Sequence, residues 1–218
     1  MPLGEIFAAI TSYILGSVPT AYLFGKKILK KDIRKIGTKN MGALNAFKSL
    51  GKFYGFLTFI IDVLKGVIPV LIAIQLQFNQ FWIGICGLMA IIGHNWSIFL
   101  KFKGGKGAST SIGIMTALFA AELPISLIVF VFFFLTTHNV SFGLGFCFLL
   151  LPLLAILHSK SEALIIVSVM IPIIILVRVS PDIKKLFKLS KGNLREIIKI
   201  LIMGFNKYER KLGIEENI

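Results

Sequence analysis

Long apolar segments dominate this sequence of 218 residues and constrain its fold more than any other feature. A transmembrane helix needs about 17–25 mostly apolar residues, because each residue adds about 1.5 Å of rise across about 30 Å of hydrocarbon. Mean hydropathy is +0.86, and 16% of the residues are charged, against roughly a quarter in soluble domains. The sequence therefore predicts an all-α integral membrane protein. It excludes a disordered chain, a fibrous repeat and a nucleic-acid-binding globule.

Five segments are clear candidates for membrane spans, and one segment is ambiguous. The clear candidates are residues 6–24, 53–76, 81–100, 142–157 and 163–179. Residues 108–136 form either one long tilted helix or two short helices broken at residues 121–124, where a glutamate and a proline coincide. Hydropathy alone leaves both alternatives open.

The positions of the basic residues decide between these alternatives. Of the 24 lysine and arginine residues, nine lie in residues 26–52, three in 101–106 and ten in 178–211. Basic residues near the ends of spans stay in the cytoplasm. Two helices in residues 108–136 place all three clusters on one side, whereas one helix places the last cluster opposite the first two. The sequence therefore predicts seven transmembrane helices, with the N-terminus outside and the C-terminus in the cytoplasm.

This topology predicts a single transmembrane domain over residues 1–218. Its cytoplasmic parts are loops at 26–52 and 101–107 and a basic tail at 180–218, and most of their charge serves topology and attraction to anionic lipid. Glu5 stands where a signal peptide would be basic, so the first apolar run is interpreted as a retained span. Cys86 and Cys147 lie in apolar runs, where thiols behave as small hydrophobes, so we expect neither a disulfide nor a metal pair.

Residues 93–107 have the composition of an anion-binding loop. Three glycines leave the backbone open to a ligand, two lysines add positive charge, and a helix is predicted to begin near Ala108 with its free N–H groups directed at the loop. The spacing differs from that of a Walker A loop. A phosphate cradle and a flexible basic turn are equally consistent with these residues, which are Lys103, Gly104, Gly105, Lys106 and Gly107.

Polar side chains in the first loop (residues 26–52) and at the end of the third span are candidates for a site beside residues 101–107, which we call the glycine loop. A lone histidine such as His94 is more often a packing residue at a span end, but its imidazole also suits acid–base chemistry. In the first loop, Thr38 offers a hydroxyl, Asn40 and Asn45 offer amides, and Lys48 offers a cation.

Asp62 and Lys65 lie three residues apart inside the second span, and they therefore share one face of its helix. Charges inside hydrocarbon are costly unless they are paired or face the interior of the bundle. We interpret the two residues as a structural ion pair. The alternative is that they brace the first loop.

Taken in order, these motifs resemble those of the PlsY family, bacterial membrane glycerol-3-phosphate acyltransferases that use acyl-phosphate. The resemblance covers roughly residues 10–145 in register. It rests on the segments Thr38–Lys48, Asp62-Val-Leu-Lys65-Gly66, Gly93-His94 and Phe102-Lys-Gly-Gly-Lys-Gly107, of which the last is the most specific.

The chain departs from the family pattern at four places. Thr38 stands where the family has a serine, and Lys48 stands where it has an arginine, so the charge is kept but the planar fork of donors is lost. Ser97 replaces the usual proline. The tail segment at residues 189–195 supplies Asn193 but lacks the histidine of the family's third motif.

The resemblance implies transfer of a fatty acyl group from acyl-phosphate to the 1-hydroxyl of glycerol 3-phosphate, at the bacterial plasma membrane. The product would be lysophosphatidic acid, for phospholipid biosynthesis. The implied partners are the two substrates and membrane lipid, without nucleic acid, cofactor or metal. The resemblance makes Thr38, Lys48 and His94 catalytic, and it assigns substrate binding to Asn40, Asn45, Lys103, Gly104, Gly105, Lys106, Gly107 and Asn193.

An alternative function follows from the departures. The chain would then be a non-catalytic or altered-specificity paralogue that keeps the helix bundle and binds phosphorylated lipid or a partner. A transporter of a phosphorylated solute is a weaker hypothesis, because the sequence has neither detectable inverted repeats nor a charged row through its spans.

Overall fold

The computed structural model describes residues 2–203, and within that range every regular element is helical. The helices are α1 (Leu3–Ser17), α2 (Thr20–Leu29), α3 (Ala43–Leu50), α4 (Lys52–Gln75), α5 (Gln80–Asn95), α6 (Ala108–Leu118), α7 (Leu123–Thr137), α8 (Val140–Leu157), α9 (Glu162–Ser190) and α10 (Leu194–Met203). Short 3-10 turns lie at Ile33–Lys35 and Ile98–Leu100. The last part of the predicted basic tail, residues 204–218, lies outside the described residues.

Five helical segments are long and apolar enough to cross a membrane, and each matches one of the clear candidate spans. They are Leu3–Leu29, Lys52–Gln75, Gln80–Leu100, Val140–Leu157 and Glu162–Ser190. The protein is therefore an all-helical, multi-pass integral membrane protein, as predicted. Cys86 and Cys147 are free and buried within this bundle.

The ambiguous stretch forms two apolar helices, which confirms the predicted break. α6 ends at Leu118, and α7 begins at Leu123 with Pro124 in its first turn. Between them, Glu122 is fully buried, and its Oε1 lies 3.1 Å from His158 Nδ1 and 3.5 Å from Lys160 Nζ in the connection between α8 and α9. The two connections therefore lie at the same end of the bundle.

Two spans differ from their predicted extents. The first, predicted as one segment at 6–24, is divided into α1 and α2 at Val18 and Pro19, because proline has no N–H to continue the helical ladder. The last, predicted to end at residue 179, continues to Ser190 despite Pro181. Part of the predicted tail is therefore an extension of α9.

Glycines allow the helices to cross at short distance. A Cβ atom on Gly16 of α1 would collide with the backbone of α5 at Ala90, and one on Gly66 of α4 would collide with the backbone of α6 at Thr110. The second crossing places the N-terminal end of α6 beside the middle of α4, and the C-terminal end of α5 reaches the same part of α4, where His94 lies 3.9 Å from Asp62. That region holds most of the buried polar side chains described below.

Candidate functional site

Four polar side chains from three helices form a buried cluster at the break between α1 and α2. They are Thr20 of α2, Asp62 and Lys65 of α4, and His94 at the end of α5. Lys65 Nζ donates to Asp62 Oδ1 at 2.6 Å, to the Thr20 hydroxyl, and to the carbonyl oxygen of Val18 at 2.6 Å. The predicted ion pair is therefore present, and it braces the α1–α2 break.

His94 joins this cluster to the glycine loop. Its Nδ1 lies 3.9 Å from Asp62 Oδ1, which is too long for a hydrogen bond but close enough for the carboxylate to attract a protonated imidazole. On its other side the imidazole ring packs directly on Gly105, where a Cβ atom would collide with Nε2. The buried His94 side chain is therefore enclosed between a carboxylate and the loop backbone.

The glycine loop folds back onto the C-terminal end of α5. The N–H of Gly104 donates to the carbonyl oxygen of Asn95 at 3.1 Å, and the N–H of Gly105 donates to that of His94 at 2.9 Å. A Cβ atom on Gly104 would collide with His94 O. The two glycines are thus required by the close approach of loop and helix, and their N–H groups are already engaged.

The free backbone donors follow directly after Gly104 and Gly105, at the end of the loop and in the first turn of α6. Among the described residues, the N–H groups of residues 106–110 have no hydrogen-bond acceptor, since the ladder of α6 starts at the N–H of Ser111. Gly107, with φ of +76°, turns the chain into α6. A helix N-terminus with a lysine beside it attracts anions. The ammonium of that lysine, Lys106, lies 2.6 Å from a carboxylate oxygen of Asp182, and Lys103 is exposed.

Arg178 of α9 is part of this site, although in the sequence it is only one charge of the tail cluster. Its Nε donates to the carbonyl oxygens of Asn95 at 3.1 Å and Gly105 at 2.9 Å, and its Nη2 donates to that of Gly104 at 2.8 Å. The signal in the sequence is an arginine at the end of a long apolar run, where a charge needs partners.

Several buried polar atoms around the loop lack partners within the described residues. They are both amide atoms of Asn95, the hydroxyls of Thr110 and Ser111, and Asp62 Oδ2. The Asn95 amide lies against Gly107, where a Cβ atom would approach within 2.7 Å of Oδ1. Buried polar groups are normally satisfied, so these atoms are available to hydrogen-bond a polar ligand or water.

The first loop is organised by Asn45. Its Nδ2 donates to the carbonyl oxygens of Ile33, Ile36 and Asn40, and its Oδ1 accepts from the N–H of Thr38 at 2.7 Å. Since all of these contacts are within the loop, the Asn45 amide holds the backbone that carries Thr38. Its own hydrogen-bonding capacity is used in doing so.

A second device holds the start of the first loop. Asp32 accepts from the backbone N–H of Arg34 and forms a bidentate pair with its guanidinium, 2.7 Å at the closest. These hydrogen bonds hold the pKa of the Asp32 carboxyl below its usual value, although burial acts on it in the opposite direction. They favour the 3-10 turn at Ile33–Lys35.

The structure brings the first loop next to the glycine loop, but two of the predicted site residues are exposed at the surface. Met41 and Leu100 belong to one buried apolar cluster, which joins the two loops. Lys48 is exposed in the last turn of α3. Asn193 is exposed between α9 and α10, where its side chain accepts from the N–H of Arg195, so its described contact is local.

No group of three histidine, cysteine, aspartate or glutamate side chains that could hold a metal ion occurs in the searched range of residues 2–203.

Comparison with known proteins gives consistent sequence matches. The family model for glycerol-3-phosphate acyltransferase matches residues 6–189. A glycerol-3-phosphate acyltransferase of Geotalea daltonii is 38% identical over 182 residues, covering 84% of this chain and 93% of that protein. One from Endomicrobium trichonymphae is 37% identical over 191 residues, covering 88% and 96%. The family match includes Arg178 and Asp182 and ends before Asn193.

Two solved structures are similar over most of the chain. The crystal structure of PlsY, an integral membrane glycerol 3-phosphate acyltransferase, in its glycerol 3-phosphate form has a TM-score of 0.78 and 30% identity, covering 87% of this chain and 94% of that one. The form with lysophosphatidic acid has a TM-score of 0.76 and 29% identity, covering 89% and 98%.

Proposed function

Because the chain belongs to the glycerol-3-phosphate acyltransferase family, we propose that it moves a fatty acyl group from acyl-phosphate to the 1-hydroxyl of glycerol 3-phosphate. The product is lysophosphatidic acid, which one of the similar solved structures contains. One observation carries the proposal. The buried His94 and the free N–H groups at the start of α6 are joined by a glycine loop with a lysine, so a phosphorylated substrate and an acid–base group meet at one place.

The phosphate of glycerol 3-phosphate binds at residues 106–110 in this proposal. Within the described residues the N–H groups there have no acceptor, and the dipole of α6 favours an anion. The Lys106 ammonium, which is paired with Asp182, lies beside them and is a further donor for the phosphate. Lys103 is exposed next to the loop and raises the local concentration of the anionic substrate. Gly104, Gly105 and Gly107 contribute by allowing the loop to lie close to α5.

The acyl chain reaches this site along an apolar groove of about 310 Å³ at the α1–α2 break. The groove is lined by Val18, Pro19, Tyr22, Leu23, Phe99 and Leu100. It therefore extends from the residues that Lys65 braces to the residues that precede the glycine loop. An apolar groove on a membrane-embedded surface suits a donor that diffuses sideways out of the bilayer.

The reaction needs no nucleophilic side chain, because acyl-phosphate is already an activated mixed anhydride. The 1-hydroxyl oxygen of glycerol 3-phosphate bonds to the acyl carbon, the bond from that carbon to the phosphate oxygen breaks, and phosphate leaves with the hydroxyl proton. In the proposed arrangement His94 accepts that proton from the hydroxyl and passes it to the leaving phosphate. Lys48 binds the phosphate of the donor or polarises the acyl carbonyl group. Thr38 and Asn40 orient the reactants, and Asn45 acts through the backbone of Thr38.

The decisive experiment supplies purified protein with acyl-phosphate and glycerol 3-phosphate and measures lysophosphatidic acid together with released phosphate. We expect equal amounts of the two products, and none when either substrate is omitted. Protein that binds glycerol 3-phosphate without forming product would instead favour the altered-specificity paralogue. Glycerol without phosphate is the matched control substrate, since it lacks only the group that the glycine loop binds.

A Gly105→Ala variant tests the role of the loop. The added methyl group would collide with the His94 ring, so the loop must move away from α5 and carry the free N–H groups of residues 106–110 with it. We expect the KM for glycerol 3-phosphate to rise at least about tenfold with a smaller change in kcat. Gly145→Ala is the control, because nothing lies within 4 Å of its added Cβ atom. A large fall in kcat at unchanged KM would contradict this role.

We further propose that the whole chain forms one domain that crosses the bacterial plasma membrane seven times, with its N-terminus outside. Contacts at the two ends of the bundle support this topology. Glu122 joins the α6–α7 and α8–α9 connections at one end. At the other end, Arg178 and Asp182 join the glycine loop to the C-terminal half of α9. α6 is about 16 Å long and reaches only part of the way across hydrocarbon.

Labelling of single introduced cysteines with a membrane-impermeant maleimide checks this topology. In intact cells we expect Gln80→Cys and Ser159→Cys to react, whereas Lys30→Cys and Lys188→Cys react only after permeabilisation. The unmodified protein is the control, since Cys86 and Cys147 are buried. Reaction of Lys188→Cys from outside would show that the count of seven crossings is wrong.

A further inference from the structure

Arg178 is one of two side chains of α9 that contact the glycine loop, and within the described residues all of its hydrogen bonds are with backbone oxygens. They are the carbonyls of Asn95, Gly104 and Gly105, at 2.8–3.1 Å. The planar guanidinium presents several donors in a fixed geometry, which a lysine cannot reproduce. One side chain therefore fixes the loop both to α9 and to the end of α5.

The contact with Gly105 also determines the direction of the first free donor of the loop. The carbonyl of Gly105 and the N–H of Lys106 belong to one peptide unit, and in a trans peptide these groups point in opposite directions. With the carbonyl held at 2.9 Å from Arg178 Nε, the N–H of Lys106 points away from α9. That N–H is the first of the unengaged donors at residues 106–110.

The same face of α9 also holds the side chain of Lys106. Asp182 lies four residues after Arg178, hence one helical turn further along, and it pairs with the Lys106 ammonium at 2.6 Å. Both ends of Lys106, its backbone N–H and its ammonium, are thus positioned from α9.

We infer that Arg178 is a positioning residue for phosphate binding, which orients the free N–H groups of the glycine loop through the carbonyl of Gly105. This inference rests on the proposed function for the identity of the phosphorylated substrate. The affinity for that substrate then depends on Arg178, which holds the loop only through hydrogen bonds to backbone carbonyl oxygens.

The test compares Arg178→Gln and Arg178→Lys with the parent protein. We expect Arg178→Gln to raise the KM for glycerol 3-phosphate at least about tenfold, while the KM for acyl-phosphate changes less than about twofold. The KM of Arg178→Lys for glycerol 3-phosphate should lie between those of the parent and of Arg178→Gln, because an ammonium replaces only part of the planar set of donors. Lys184→Gln is the control, since Lys184 is an exposed cation on the same helix.

This split between the two substrates separates positioning from a merely structural role. If Arg178 only stabilised the bundle, both KM values would stay unchanged in the folded fraction while the melting temperature fell, and the inference would be overturned. Equal increases of both KM values would overturn it as well. If Arg178→Gln does not fold, the intermediate substrate-selective effect expected of Arg178→Lys decides.

A binding measurement keeps the inference independent of turnover. Glycerol 3-phosphate and inorganic phosphate, each added to the purified protein, should raise the melting temperature of the parent and of Lys184→Gln, but not that of Arg178→Gln. A parent that binds these anions in this way without turnover would refute the proposed function and leave the inference intact. A parent that binds neither anion, or an Arg178→Gln variant that binds both as well as the parent, would overturn the inference.

Discussion

Asp62→Asn and Lys65→Met are each expected to destabilise the protein by about 3–5 kcal/mol, because each leaves one buried charge without its partner. The side chains of Asp62 and Lys65 are 1% and 4% exposed, and their charged atoms lie 2.6 Å apart. Lys65 also holds the backbone at Val18 through a hydrogen bond of 2.6 Å. We therefore expect a large fall in melting temperature in detergent and little recovery of folded protein.

The double variant Asp62→Asn/Lys65→Met separates pairing from catalysis. Since it contains neither charge, it should regain most of the stability that either single change removes. Activity in the stable double variant would confirm that the pair is structural. A stable but inactive double variant would show that the Asp62 carboxylate also acts on His94, 3.9 Å away.

A more exposed ion pair provides the control for this cycle. Asp32 and Arg34 also form a short pair, at 2.7 Å, but their side chains are 16% and 30% exposed. Because water screens such a pair, Arg34→Gln should cost no more than about 1 kcal/mol. If the single variants Asp62→Asn and Lys65→Met were as stable as Arg34→Gln, the assignment of a buried ion pair would be wrong.

The spans could be predicted from the sequence because their signals are local. Apolar length identifies a helix in the bilayer, and the break near residues 121–124 followed from the side on which lysines and arginines must lie. The structure confirms the break and shows what stabilises it. Glu122, a charge in an apolar stretch, is buried against His158 and Lys160, which follow it by more than 30 residues.

The candidate site could be predicted less completely, because its contacts join distant parts of the chain. Arg178 is 83 residues from Asn95 in sequence, so no local pattern indicates that its guanidinium holds the glycine loop. The composition of that loop indicated anion binding, but it could not show that the N–H groups of Gly104 and Gly105 are occupied by the end of α5.

Asn193 shows the limit of reading a motif from composition. An asparagine in the basic tail was the best candidate for the family's third motif, yet the family match ends at residue 189. In the structure, the segment that touches the glycine loop is one helical turn of α9, from Arg178 to Asp182. Spacing alone does not distinguish that turn from the later segment, whereas contacts across the bundle do. The role of Asn193 stays a prediction.

Lys48→Ala is expected to reduce kcat/KM by about 100-fold or more, equivalent to roughly 2.7 kcal/mol of transition-state stabilisation. In the proposed reaction Lys48 supplies the cation that binds the donor phosphate or polarises the acyl carbonyl. Lys48 is exposed, so its removal should leave the melting temperature unchanged. α3 is itself fixed, because Phe47 packs so closely on α4 that a Cβ atom on Gly55 would collide with it.

Lys48→Arg gives the opposite expectation and makes the test specific. A guanidinium presents two parallel donors in one fixed plane, whereas an ammonium acts as a compact point charge, so this variant should retain or exceed the parent activity. Thr38→Ser is the companion change. It keeps the hydroxyl, and the N–H of residue 38 still donates to Asn45 Oδ1, so we expect it to be harmless or favourable.

Lys52→Ala is the matched control for Lys48→Ala, because Lys52 is an exposed lysine only four residues away that the reaction does not require. Acyl transfer by all four variants is measured with the same acyl-phosphate at equal amounts of folded protein. If Lys48→Ala and Lys52→Ala lose activity equally, the effect is one of general surface charge, and the assignment of Lys48 is wrong. If Lys48→Arg is inactive while the parent is active, the pocket is shaped around lysine and excludes the larger guanidinium. If the parent is inactive and neither Lys48→Arg nor Thr38→Ser restores transfer, the two departures from the family pattern mark a chain that binds phosphorylated lipid without acyl transfer.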